Sequence, residues 1–207
     1  MNFNKDLYDK TEAKELGEFE RLELGGHEIV ILDAREYTSE LSGNTSLKIC
    51  VDIAGNDKQK DYFKKQYNEN NNKDKKWPTG ATRFLSLKDE NIAYLKGFIT
   101  SLEKSNPKFK FDINGKWDQL KNLKCAGQFG LEEFKDQEGK IKTTTKLIQF
   151  RSLDKLNEIT VPKVKLIDGT LVDYDSYNEN CNDDVVKKAQ AVFGSDIVEI
   201  SDSVLPF

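Results

Sequence analysis

The chain has 207 residues, enough for one domain with appendages or at most two small domains. It is polar, with 37 % aliphatic and aromatic residues, 33 % charged residues and a formal net charge of −4, yet its 12 Phe, 7 Tyr and 2 Trp can build a core. No stretch approaches the roughly 18 apolar residues of a membrane span, which excludes an integral helical membrane protein. Met1-Asn2-Phe3-Asn4-Lys5-Asp6 has no basic-then-apolar signal, which predicts a cytoplasmic protein.

Cys50, Cys125 and Cys181 lie far apart and form no C-x-x-C pair, so neither a disulfide framework nor a zinc site is expected. The single histidine, His27, stands where a strand begins and reads as structural. This composition argues against much enzyme chemistry; no cofactor, no metal and no catalytic set is expected.

The net charge hides a division. From Asp168 to Phe207 nine acidic residues face only Lys187 and Lys188, a net of −7. Residues 1–23 carry −3, which leaves +6 on residues 24–167. A basic body with an acidic tail predicts a polyanionic ligand, and a tail that competes with it or recruits a partner. The expected organisation is an N-terminal arm (1–23), a folded body (24–167) and an acidic, largely flexible tail (168–207).

In chain order, a strand follows Gly25-Gly26, with His27, Ile29 and Ile31 on one side and Val30, Leu32 and Ala34 on the other. Apolar residues on both sides predict burial of both faces. Residues 38–45 form a loop by composition. The next strand alternates cleanly: Leu47, Ile49, Val51 and Ile53 against Lys48, Cys50 and Asp52. Gly55-Asn56-Asp57 turns the chain, and Asp61 to Tyr67, rich in aromatics and lysine, reads as a third strand. A polar loop, Asn68 to Lys76, follows it.

A helix fits Asp89 to Lys104, because Ile92, Leu95, Phe98, Ile99 and Leu102 fall on one face. Ser86 or Asp89 is placed to cap it, and Asn106-Pro107 stops it. Trp117 and Leu120 suit a short second helix. Two strands, Leu123–Phe134 and Ile141–Arg151, flank a hairpin loop at Asp136-Gln137-Glu138-Gly139. An exit segment at 152–167 contains Pro162, and Asp183 to Phe193 suits a short helix between Asn182 and Gly194. Strand, strand, strand, helix, strand, strand is the element order of the OB-fold, a five-stranded barrel whose strand 2–3 face often binds oligonucleotides. The predicted class is therefore mainly β with one or two helices.

Single-stranded nucleic acid needs cations along its phosphates and flat rings for its unpaired bases. Tyr62, Lys64, Lys65 and Tyr67 on the expected third strand, with Lys75, Lys76, Trp77 and Arg83 after it, supply both types. Lys48 on the second strand joins them. Phe63, Phe84 and one of the two tyrosines are expected in the core instead. Trp77, in a lysine-rich loop, is expected to contact ligand, or else to close the barrel as a lid. Lys140, Lys142 and Lys146 share strand parity, which suits a phosphate-contacting rim or an ordinary solvated face equally.

The C-terminus ends in an acidic stretch closed by Asp202-Ser203-Val204-Leu205-Pro206-Phe207. Phe207 can enter an apolar pocket while its carboxylate meets a base, so Asp202, Leu205, Pro206 and Phe207 are candidate partner contacts. A frayed acidic end is the plain alternative.

This tip resembles the acidic, Pro-Phe-ending tail of bacterial single-stranded-DNA-binding proteins, with leucine where those have isoleucine and with sparser acids. The resemblance implies docking on replication or recombination proteins. The body resembles a different family, the single-stranded-DNA-binding proteins of phages and prophages of Gram-positive bacteria. The matching stretches are Phe19 to His27, Leu47 to Ala54, Lys75-Lys76-Trp77-Pro78, Gly97-Phe98-Ile99, Glu103 to Pro107 and Phe150-Arg151-Ser152. That family implies an OB-like fold, a role in phage DNA replication or recombination, and residence in the cytoplasm of the bacterial host. It supplies no binding residues.

No G-x-x-x-x-G-K-[ST] or G-x-G-x-x-G occurs. Lys165-Leu166-Ile167-Asp168-Gly169 has one residue too many for the Lys-x-Asp-Gly of nucleotidyl ligases and reads as a turn. Glu132-Glu133 and Asp183-Asp184 are sequence neighbours, so on a strand their side chains diverge; they suit solvated surface better than a two-metal site. The expected function is binding of single-stranded DNA without strong sequence preference. One barrel covers about 4–16 nucleotides, so a longer footprint would call for several protomers, as in a homo-oligomer. The alternatives are an adaptor or inhibitor that captures a host replication or defence protein, and a nuclease or ligase subunit. The sequence does not separate DNA from RNA.

Overall fold

Two alternating segments become long antiparallel partners, β1 (Gly25–Thr38) and β2 (Thr45–Ile53). They belong to a computed structural model that describes residues 21–179. The remaining elements are α1 (Tyr62–Glu69), β3 (Thr82–Ser86), α2 (Ile92–Ser105), β4 (Lys124–Lys135), β5 (Ile141–Arg151) and the two-residue strands β6 (Val164–Lys165) and β7 (Leu171–Val172). The chain is mainly β. Seven strands form one mixed sheet in the order β3-β2-β1-β4-β6-β7, with β5 also paired to β4 and the β4–β6 pair parallel.

β1 departs from the expected burial of both faces. A bulge between Ile31 and Asp33 leaves Leu32 as the extra residue. Beyond it the parity reverses, so Ala34 pairs with Ile49 and turns inward with Ile29 and Ile31. The outer face of β1 is only partly covered.

The expected third strand at 61–67 is a helix. Asp61 takes a left-handed conformation (φ 57°), which ends extended structure. Phe63 and Tyr67 then recur at helical spacing, Phe63 being buried. The Asp52 carboxylate on β2 accepts the backbone N–H of Phe63 at 3.0 Å and of Ile53 at 2.9 Å. Thus a distant acid satisfies the first turn of α1. The actual third strand is Thr82–Ser86, paired with β2.

α2, β4 and β5 match the pattern closely. α2 buries Leu95, Phe98, Ile99 and Leu102, and a 3-10 turn (Asp89–Asn91) precedes it. Neither Ser86 nor Asp89 caps α2 itself; Ser86 Oγ accepts from the Lys88 N–H and the Asn91 side chain. Asn106 ends the helix, and a 3-10 turn spans Trp117–Leu120. Residues 166–170 form the turn between β6 and β7, closed by Leu166 N–H to Thr170 O at 2.9 Å.

The core lies on one face of the sheet. Ile29, Ile31, Leu47, Ile49, Val51, Phe129 and Leu147 line it, joined by the apolar face of α2, Phe63 and Leu120. The packed unit is wider than residues 24–167. Leu22 is buried at its start, and Tyr177 donates to Glu133 at 3.0 Å near its end. His27 is structural: Nδ1 meets Asp57 Oδ2 at 3.1 Å, and Nε2 meets the Glu23 carbonyl at 2.9 Å.

β3 and β5 approach each other without exchanging ladder hydrogen bonds, so the sheet stays open at this seam. Just before β3, a Cβ on Gly80 would stand 2.4 Å from the Thr145 carbonyl oxygen; only glycine allows that approach. α2 packs across β3, β4 and β5. Its Gly97 costs about 1 kcal/mol of helix stability relative to alanine. A Cβ there would meet no atom of the described residues within 4 Å, so packing among them does not explain it. Among the described residues no helix is long and apolar enough to cross a membrane.

Candidate nucleic-acid interface

Cross-strand register builds the outer face of β1–β2–β3. Arg35 opposes Lys48, and Lys48 opposes Phe84, so the three share one row. Tyr37 lies beside Phe84 with ring centroids 5.4 Å apart. Both rings are open to solvent, Phe84 at 47 % and Tyr37 at 44 % exposure. The expectation that Phe84 is core is therefore corrected: its parity on β3 is that of Lys48. Phe63 is buried as expected, and Tyr62 packs on the core with its ring edge-on to Phe63.

These side chains line a groove of about 550 Å³ shared with Leu32, Lys76 and Trp77. Trp77 serves as lid and wall together. Its indole N–H donates to the Val51 carbonyl at 3.1 Å, and its ring lies 5.5 Å from that of Tyr67. Asp33, also in the groove, is engaged by Arg35 at 3.5 Å and Lys121 at 3.3 Å. Lys48 and Lys76 have no ion-pair partner among the described residues. The Cys50 thiol in the floor contacts Thr82, and burial pushes its pKa up, which keeps it protonated and unreactive.

Lys76 also borders a second cavity, of about 480 Å³, between α1 and the β4–β5 hairpin. Tyr62, Gln66 and Tyr67 line one side and Thr143, Thr144 and Thr145 the other. Lys75 lies over the Tyr67 ring at 4.6 Å. The groove and this cavity thus adjoin through Lys76, Trp77 and Tyr67.

Other expected site residues lie elsewhere. Lys64 and Lys65 are exposed on α1 and line neither cavity. Arg83 has the opposite parity to Phe84 and borders a separate cleft with Arg151. The three hairpin lysines are neutralised by neighbouring acids: Lys140 by Glu138 at 2.7 Å, Lys142 by Asp136 at 2.7 Å, and Lys146 by Glu132 at 2.5 Å. Lys142 holds the Asp136 carboxyl below its usual range. Burial pushes Glu132 up, but Lys146 and Lys165 together hold it below the ordinary value. Asp202, Leu205, Pro206, Phe207 and the helix expected at 183–193 lie outside the described residues.

Sequence reasoning missed Tyr37 and misassigned Phe84. The bulge at Leu32 hides the parity of Tyr37. Among the described residues no cluster of three or more His, Cys, Asp or Glu side chains is arranged to hold a metal ion. No protein-family model matches the chain. No curated protein matches it.

Proposed function

We propose that the chain binds single-stranded DNA across the outer face of β1, β2 and β3. The observation that carries this reading is the exposed Tyr37–Phe84 pair in a concave surface beside two lysines that lack acidic partners among the described residues. Such a surface offers unpaired bases a stacking platform and their phosphates a cation, without reading base edges. The adjoining cavity under Lys76 extends the path toward α1 and the threonines of β5.

In this reading the fold is an OB-like barrel with an open β3–β5 seam. Three features support it: β1 pairs with both β2 and β4, α2 stands between β3 and β4, and β5 returns toward β3. The resemblance of the body to phage and prophage proteins supports a role in phage DNA replication or recombination in a bacterial cytoplasm. The C-terminal tip would recruit partner proteins there.

Fluorescence anisotropy of labelled oligo-dT of about 30 nucleotides, roughly two footprints, tests the reading. The expected result is binding that weakens with salt, by a log–log slope of about 0.7 per neutralised phosphate. Duplex DNA should compete poorly, and removing Leu205–Phe207 should leave the affinity unchanged. No binding at low salt, or equal competition by duplex, would reject it.

A further inference from the structure

Successive side chains of β3 point to opposite faces, so Phe84 joins the aromatic groove while Arg83 turns away from it. Arg83 lines a cleft of about 260 Å³ with Tyr94, Gly97, Gln149, Phe150 and Arg151. The cleft lies at the seam where β3 and β5 approach without pairing, under the flank of α2. No acidic side chain lines it, and neither arginine has an ion-pair partner among the described residues. Glu158 borders the neighbouring cavity that shares Arg151, and forms no ion pair with it.

Arg83 and Arg151 line one cleft with no acidic side chain among its lining residues, so an anion entering it meets two positive charges. Their planar donor forks suit phosphate oxygens. Tyr94 stands at the rim with 71 % exposure. Gly97 leaves the helix wall bare, where a side chain would project into open space. A glycine that serves no packing need in mid-helix is accounted for if a ligand approaches the backbone there.

We propose that this cleft is a second phosphate-binding subsite, which receives the single strand after it leaves Phe84 and passes over the edge of β3. The inference rests on the reading of the β1–β3 face as the single-strand interface. Among the described residues β3 has a ladder partner on one side only. A strand occupies about 4.8 Å across a sheet, and the path from Phe84 to Arg83 crosses that width and then turns to the opposite face, so only an oligonucleotide that has first filled the groove reaches the cleft.

The test compares the full chain with Arg83→Gln/Arg151→Gln, Gly97→Leu and Phe84→Ala on oligo-dT of about 6 and about 16 nucleotides, within the range of single-barrel footprints. The double variant should bind the short oligonucleotide as the wild type does. On the long one its log–log salt slope should fall by about 1.4, the contribution of two phosphates. Gly97→Leu fills the cleft without changing charge and should also weaken only the long complex. Thermal midpoints identify any variant that fails to fold, and Gly97→Leu keeps the test valid if the arginine pair does. If Phe84→Ala weakens both complexes while neither cleft variant changes either, the cleft inference falls and the groove reading stands. If cleft variants weaken both lengths equally, the inference also falls. If the wild type binds neither oligonucleotide, both readings fall.

Discussion

Phe84→Ala should weaken oligo-dT binding by about 5- to 150-fold, the loss of 1–3 kcal/mol expected when one base loses its aromatic platform. The fold should hardly respond. Phe84 is half exposed on a short edge strand, and its main aromatic neighbour is Tyr37. An aromatic pair of this kind contributes about 0.5–1.5 kcal/mol beyond its buried area, so a destabilisation near 1 kcal/mol is the expected limit. Tyr37→Ala should behave alike, and the double variant should lose less than the sum of the two, because both rings form one platform. Calorimetric midpoints with anisotropy titrations check this. Unchanged affinity in Phe84→Ala would remove the groove from the interface.

Asp52→Ala should give the largest loss of stability among single substitutions on the sheet's outer face, about 2–3 kcal/mol, by combining a lost helix cap with buried N–H groups left unsatisfied. The residue is 2 % exposed and joins β2 to the first turn of α1 through Ile53 and Phe63. For a domain of this size the thermal midpoint should fall by roughly 5–10 °C. Asp52→Asn keeps one acceptor oxygen and should lose less than half as much. The two also differ in pH dependence. Burial pushes the Asp52 carboxyl up, against the backbone hydrogen bonds that favour its charge. The folded state therefore holds this proton more tightly than the unfolded chain. The contribution to stability is full below the ordinary carboxylate range and is lost as pH rises through the raised value. Urea unfolding across that range should show this decline in the wild type and not in Asp52→Asn.

The parts of the fold that were legible are those with long, self-consistent periodicity. β2 alternates without interruption, α2 repeats its apolar face over 14 residues, and β4 and β5 flank a short polar hairpin loop. α1 was hidden because Tyr62-Phe63-Lys64-Lys65-Gln66-Tyr67 is too short for its period to declare itself. The acid that completes its first turn lies on β2, out of reach of any local pattern. β3 was hidden for a related reason: with five residues, Thr82-Arg83-Phe84-Leu85-Ser86 fits either parity until its register with β2 is known. β6 and β7, two residues each, carry no signal. The candidate site follows the same division. Lys48, Lys76 and Trp77 were marked by residue type and reach the groove. Tyr37 and Phe84 were missed because a bulge and a register decide their direction. Lys140, Lys142 and Lys146 each pair with an acid of the β4–β5 hairpin, a contact that residue type alone does not reveal.

The most direct test of the central claim is amide chemical-shift mapping of the full chain with a dT oligonucleotide of about 6 nucleotides, a length one barrel can hold. The account predicts that shifts concentrate at Arg35, Tyr37, Lys48, Trp77 and Phe84 and extend toward Tyr67. Shifts centred on Lys140 and Lys142, or on the solvent face of α1 at Lys64 and Lys65 with the groove silent, would contradict it.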